Sequence, residues 1–446
     1  MKVCVIALGK IGLPLAVQFA QAGHDVVGVD ISDSAIELIN KGKPPFPGEE
    51  GLEEKLNIVL SNGSFVATTD TSSSVSISDV VVVVVPLLVD NDAKPDFSAL
   101  DAATSAIAKG LKPGTLVSYE TTIPVHTTRQ RFAPALEEVS GLEAGKDFFL
   151  CHSPERVFSG RIFSDLRTYP KLVGGIDLAS AEQAVAFYES ALEFDDRNDL
   201  AKPNGVWDLG SAEAAELAKL AETTYRDVNI GFANQLALFA DQIQVDIDAV
   251  IEACNTQPYS HIHRPGISVG GHCIPVYPRF YLFNDPDASI PAAAREANLA
   301  MPSYAVNLLF EKLRNESEPT VLILGVAYRG GVKESAFSGV FDIAREISNR
   351  SGIPVVHDPL YSSEEITSLG LTPFDSSSKP PAGVILHTDH SEYQELDDTL
   401  LQGAKIIIDG RNWVNSVPPD VQRITIGRGK TAGAKETIPG AHGSKT

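Results

Sequence analysis

At 446 residues the chain is too long for one ordinary hydrophobic core, so two or three domains are expected. Its formal net charge of −22 argues against nucleic acid or an anionic membrane as partner. Four cysteines without a CxxC pair, no secretory leader and no apolar run of membrane-span length predict a cytoplasmic protein with reduced thiols.

The first elements alternate. "KVCVIAL" reads as a strand, "GLPLAVQFAQAG" as a helix and "DVVGVD" as a second strand, with "DVVVVVVP" and "TLVSYET" as later strands. Repeated βαβ units imply a parallel doubly wound α/β sheet over residues 1–204. "ALGKIG" supplies Gly9 and Gly12 of a G-x-G-x-x-G fingerprint, with Ala7 at the first position. Gly9 lets backbone approach a pyrophosphate, and Gly12 lets helix pack on strand. Asp30, at the end of the second strand, accepts hydrogen bonds from a ribose diol and repels a 2′-phosphate, which favours NAD over NADP. The plainer reading of the glycines alone is a tight βα turn.

From about residue 205 the pattern changes. A long alanine- and leucine-rich stretch, residues 211–245 with Ser211 as N-cap, predicts a helical domain over 205–314 that pairs two copies of the chain. Within it, "SVGGHCIPVYP" sets Cys273 between glycines and prolines, the layout of a loop that fixes one side chain. A buried structural cysteine is the alternative. His261, His263, His272 and Cys273 match no common zinc spacing, so no metal is expected. "TVLILGVAY", "GVFDIAREISNRSG", "IPVVHDP", "GVILHTDH" and "AKIIIDGRNWV" predict a second Rossmann-like domain over 315–426, and residues 427–446 a disordered tail.

Taken in order, "LGKIGLPLA", "TTIPVHTTR", "SPERVFSG", "AELAKLAETTYRDVNIGFANQ", "PGISVGGHCIP", "LGVAYRGGVKES" and "VVHDP" resemble the UDP-glucose/GDP-mannose dehydrogenase family over nearly the whole chain. "SPERV", "RDVNI" and "AREAN" point to its branch acting on UDP-N-acetylhexosamines. The resemblance implies two Rossmann-like domains joined by a central helical dimerisation domain, and oxidation of C6 of a nucleotide sugar to a uronic acid with two NAD⁺. An aldehyde has no second hydride to give until a nucleophile adds, so Cys273 would form a thiohemiacetal and then a thioester.

By the same resemblance, Lys219 stabilises oxyanions, Glu155 is a base for water, and Thr122 and Thr223 assist. NAD would lie against Gly9, Lys10, Ile11, Gly12, Asp30, Pro86 and Thr122. The nucleotide sugar would meet Glu155, Arg156, Val157, Lys219, His263, Arg264, Gly266, Gly270 and Arg329. Thr223 replaces a family asparagine, Tyr277 an aspartate, Arg329 a lysine and Ala336 an arginine. A UDP-glucose 6-dehydrogenase, a two-electron dehydrogenase and a nucleotide-sugar binder without activity are the competing readings. Retention of Cys273, Lys219 and Glu155 speaks against the last two.

Overall fold

A computed structural model describes residues 1–90, 92–377 and 379–429. The chain forms two compact units: residues 1–222 with 279–286, and residues 223–278 with those from Asp287 on.

Apolar runs in the first unit make β1 (Lys2–Ile6), β2 (Asp25–Val29), β3 (Phe65–Thr68), β4 (Val80–Val83), a small ribbon of β5 (Leu88–Val89) and β6 (Pro95–Asp96), then β7 (Leu116–Tyr119), β8 (Phe149–His152), β9 (Lys171–Gly175) and β10 (Val206–Asp208). The main sheet has the order β10-β9-β8-β7-β4-β1-β2-β3. Val3, Val5, Val82, Leu116 and Val173 pack on one face against helices 12–21, 52–61 and 178–191, and β4 is buried throughout, as expected of a central parallel strand.

The sheet departs from the all-parallel expectation at one place. β9 runs antiparallel to β8, with His152 opposite Gly174. The intervening helix, Ile162–Thr168, is only seven residues long and makes no crossover, so the chain re-enters the sheet from the end at which β8 leaves it. Three residues past His152 and three before Gly174, Glu155 and Lys171 meet across this antiparallel pair, Lys171 Nζ donating to Glu155 at 2.8 Å.

In the second unit, β11 (Thr320–Leu324), β12 (Ile353–His357), β13 (Gly383–Leu386), β14 (Ile406–Asp409) and β15 (Gln422–Thr425) form a wholly parallel sheet, ordered β12-β11-β13-β14-β15. The long helix spans Ala212–Ile243, and helices 247–254 and 289–312 follow. Ala237, Ile247, Met301 and Leu309 from these helices share one apolar core with Val321, Ile323 and Ile408 of the sheet.

Of the expected tail, residues 430–446 lie outside the described residues. Residues 427–429 are fastened to the helices: the N–H groups of Gly427 and Gly429 donate to Asp241 at 3.1 and 2.9 Å, and Arg428 pairs with Asp248 at 2.7 Å. No helix among the described residues is long and apolar enough to cross a membrane.

Candidate active site

β1 passes into its turn through Ala7, whose φ is 75°, a left-handed conformation that costs a non-glycine residue about 1–2 kcal/mol. Gly12 is needed for packing, since a Cβ there would lie 1.9 Å from the Ala7 carbonyl oxygen. A Cβ on Gly9 would meet nothing within 4 Å, so this glycine leaves open space on the turn. Asp30 pins the turn, accepting the N–H of Leu8 at 2.8 Å and of Ser32 at 3.0 Å.

The strand order reverses beside β1, where open α/β sheets bind ligands beyond the strands' carboxyl ends. Lys10 and Pro86 are exposed there and Ile11 is half-buried. Thr122, buried, follows β7, next to Thr121, whose hydroxyl donates to the Val85 carbonyl at 2.6 Å. An open glycine, a helix N-terminus and a carboxylate at the end of β2 form the cradle a dinucleotide needs.

Glu155 follows β8. Its Oε1 accepts the N–H of Arg156 at 2.6 Å and of Val157 at 3.2 Å, and its Oε2 accepts from Lys171 Nζ at 2.8 Å. Lys171 also donates to Glu120 at 2.7 Å, and Tyr188 donates to the other Glu120 oxygen at 2.7 Å. Burial pushes Glu120 up to about 7 despite the ammonium beside it. Burial would raise Glu155 too, but Lys171 and the N–H of Arg156 outweigh it and hold the carboxyl below its ordinary value. Arg156 makes a fork to Glu222 at 3.0 and 3.3 Å.

Lys219 is buried on the long helix, and Thr223 lies four residues on in the same helix. One turn before Lys219, Glu216 accepts the N–H groups of His126 and Thr128 and the Thr128 hydroxyl, while burial raises it to about 7.

In the second unit the cysteine loop is fastened along its length by asparagines. Asn229 donates to the His261 carbonyl at 2.6 Å and accepts the N–H of His263 at 2.9 Å. Asn255 donates to the Ile262 carbonyl at 3.0 Å and accepts the N–H of Ile262 at 2.9 Å, and Asn234 accepts the N–H of Gly266 at 2.9 Å. Desolvation, with Arg226 nearby, lowers His263, while Arg264 is exposed and 3.7 Å from Glu252.

Further on, the loop lies on the carboxyl ends of the second sheet. Ile267 N–H donates to the Gly410 carbonyl at 3.1 Å, Ser268 bonds His387 at 3.0 Å, and Gly271 N–H donates to the Ala336 carbonyl at 2.9 Å. Gly270 is obligatory, because a Cβ there would come within 2.4 Å of Tyr328. Cys273 emerges exposed, whereas Cys4 and Cys151 are buried and Cys254 is half-buried. Arg329 is exposed, with its guanidinium 5.8 Å from the Tyr328 ring.

With this geometry in hand, residues 1–192 match the NAD binding domain of the UDP-glucose/GDP-mannose dehydrogenase family, 213–301 its central domain and 322–416 its UDP binding domain. The chain belongs to this family. It is an NAD-dependent nucleotide-sugar dehydrogenase, with the two Rossmann-like domains and central helical domain of that architecture.

Among its relatives is the UDP-N-acetyl-D-mannosamine dehydrogenase of Pyrococcus horikoshii, 36% identical over 96% of this chain and 100% of that one. The NDP-N-acetyl-D-galactosaminuronic acid dehydrogenase of Ralstonia solanacearum is 31% identical over 92% and 95%. The solved structure of the Pyrococcus horikoshii enzyme superposes with a TM-score of 0.84 at 34% identity, covering 97% of this chain and 100% of that one. A UDP-glucose dehydrogenase from Pyrobaculum islandicum superposes at 0.82 with 27% identity over 95% and 96%.

Within this dehydrogenase, Glu155, Arg156, Val157, Lys219 and Thr122 belong to the first unit, and His263, Arg264, Gly266, Gly270, Cys273, Thr223 and Arg329 to the second. Reading the sequence missed Glu120 and Lys171, the three asparagines, and Arg411. Arg411 donates to the carbonyls of His387 at 2.8 Å and Tyr328 at 3.2 Å and has no carboxylate ion pair among the described residues. A guanidinium held on carbonyls at the end of β14, in a domain that binds a nucleotide, is a natural anion contact. The one available signal was an arginine directly after the apolar run "AKIIIDG".

Proposed function

We propose that the enzyme oxidises C6 of a UDP-N-acetylhexosamine twice, from alcohol to carboxylate, through covalent intermediates on Cys273. The observation that carries this reading is the exposed Cys273 on a loop braced by Asn229, Asn234 and the second sheet. A binder or a two-electron dehydrogenase has no need of a fixed nucleophile. The N-acetyl group follows the names of the Pyrococcus and Ralstonia relatives.

NAD⁺, held on Gly9, Lys10, Ile11, Gly12, Asp30, Pro86 and Thr122, supplies the hydride acceptor for both oxidations. The Cys273 thiolate adds to the C6 aldehyde, giving a thiohemiacetal whose remaining C6–H can leave as hydride. Its oxidation leaves a thioester, and water releases the acid and the thiol. The Lys219 ammonium stabilises the oxyanion at each stage, assisted by the hydroxyls of Thr122 and Thr223. Glu155 accepts the proton of the attacking water. Tyr277, where the family has a carboxylate, cannot share that duty. Arg156, Val157, His263, Arg264, Gly266, Gly270 and Arg329 hold the nucleotide sugar.

The working enzyme is a homodimer in this reading, and its four free cysteines support a reducing, cytoplasmic setting. The test is NADH yield with a panel of UDP-sugars. Two NADH per sugar and a uronic acid are expected from the intact enzyme, and at most one NADH from Cys273→Ala. A Cys273→Ala enzyme that still yields two NADH and the acid overturns the covalent route.

A further inference from the structure

Glu155, read above as the base for thioester hydrolysis, is a poor base by itself. Three N–H donors act on its two oxygens, and each favours the charged form. Directly behind it stands a second carboxylate, Glu120, whose side chain is fully buried. One ammonium bridges the two, Lys171 Nζ lying 2.8 Å from Glu155 and 2.7 Å from Glu120, with the lysine side chain 4% exposed. This contact follows from the antiparallel entry of β9, whose first residue is thereby set opposite Glu155.

We propose that Glu155, Lys171 and Glu120 form a proton relay in which the proton taken from water by Glu155 is passed through Lys171 to Glu120. Neither Lys171 nor Glu120 touches the sugar; both are positioning residues that act through Glu155. In the step, one O–H bond of the attacking water breaks as its oxygen bonds to the thioester carbon, and the proton goes to Glu155. Glu155 then gives a proton to Lys171 Nζ as Lys171 gives one of its own to Glu120. Lys171 is an ammonium before and after, Glu155 is again a carboxylate, and Glu120 is a neutral acid. Nothing is oxidised.

The surroundings fit a shared proton. Glu120 is raised to about 7, matched to a base working near neutral pH. The groups facing the network are Tyr188, which donates to Glu120, Cys151, whose thiol burial pushes up to about 12, and His152, which burial and the charges of Lys171 and Lys219 keep neutral. None of them competes for the proton. A narrow cleft of about 10 Å³, close to the least that one water occupies, is lined by Glu155, Arg156, Asp165, Tyr169 and Lys171, so the water-facing end of the network is Glu155 and Lys171, with Glu120 behind them.

The relay rests on Glu155 being the hydrolytic base, and that reading fails separately if the unaltered enzyme yields one NADH per sugar. Two variants test the relay itself. Glu120→Gln keeps the shape and the acceptor for Lys171 but cannot take a proton. The acid limb of kcat, expected near pH 7, should move down by at least about one pH unit and the plateau fall about 10-fold or more, with NAD⁺ affinity unchanged. Lys171→Arg keeps the charge and the bridge, yet a guanidinium does not release its proton. Its kcat should also fall about 10-fold or more. An unmoved acid limb in Glu120→Gln, or a Lys171→Arg enzyme within twofold of the original, overturns the relay.

Discussion

Asn234 accepts the N–H of Gly266 at 2.9 Å and donates to Asn298 at 2.8 Å, so the long helix grips the start of the loop that ends in Cys273. Asn298 in turn donates to Asp227 at 2.7 Å, and Asp227 also takes Arg295 at 2.7 Å. Arg295 reaches the carbonyl of Ile274, directly after the cysteine, at 3.4 Å. One buried polar chain between two helices thus meets the loop at both ends.

Asn234→Ala leaves a buried N–H and a buried amide without their partner, a loss of about 1–3 kcal/mol. The thiol also loses its fixed position, so the second oxidation should slow more than NAD⁺ binding weakens. A denaturation midpoint and an NADH yield per sugar both equal to those of the parent would contradict the bracing role.

These braces explain what could and could not be read from the residues. The strands, the glycine turn with Asp30 and the cysteine loop announce themselves by apolar runs, glycines and prolines. Asn229 and Asn234 sit in a helix, where asparagine reads as an ordinary surface residue until the loop it holds is known. Lys171 opens an apolar strand and looks like an edge charge. Only the antiparallel pairing of β9 puts it between two carboxylates, and strand direction leaves no mark in composition. Gly427 reads as the start of a tail because its anchor is a backbone N–H to Asp241, which no side chain advertises.

The turn after β1 supplies a second test. Ala7 holds a φ of 75° at the first position of the fingerprint. Ala7→Gly removes a strain of about 1–2 kcal/mol and adds about 0.5–1 kcal/mol of lost chain entropy. A net gain of up to about 1.5 kcal/mol in stability of the NAD-binding unit is expected, with affinity for NAD⁺ kept. A branched residue, Ala7→Val, should lose both. Equal melting temperatures for the parent and both variants would show that the turn is not strained.

Acid sensitivity follows from two buried histidines. Burial lowers both His152 and His387 to about 3, each from an ordinary value of 6.5. The unfolded chain takes up protons below about pH 6.5 that the folded chain refuses. Stability is therefore full above 6.5 and is lost as pH falls towards 3, by about 1.4 kcal/mol per pH unit for each histidine. Neither ring nitrogen of His152 has a well-formed hydrogen bond, so His152→Leu is tolerable at pH 8. That variant should reduce the slope of stability between pH 6 and pH 4 by about 1.4 kcal/mol per unit, read from urea midpoints. An unaltered slope would show that His152 is not held neutral.

Assembly can be tested on the long helix. Tyr225, Phe232, Phe239 and Ile243 are each more than half exposed and recur at intervals that bring them to one face. An apolar stripe of this kind needs a partner, and a second copy supplies the same stripe by two-fold symmetry. Phe232→Asp with Phe239→Asp should convert a dimer to a monomer by light scattering at micromolar concentration. A parent chain that is already monomeric there would remove the dimer from the proposal.

The four thiols should report the site's chemistry without any substrate. Cys4 and Cys151 are buried, and loss of solvent pushes both thiols up to about 12, so neither offers thiolate at neutral pH. Cys254 is half-buried and Cys273 exposed. Iodoacetamide at pH 7.5 should therefore modify Cys273 first, Cys254 later, and the two sheet cysteines only after unfolding. If Cys273 is the nucleophile, loss of activity should follow its modification one for one. The nucleotide sugar should slow the reaction at Cys273 and leave that at Cys254 unchanged. Activity lost in step with Cys254, or Cys273 fully alkylated with turnover intact, would move the chemistry away from this loop.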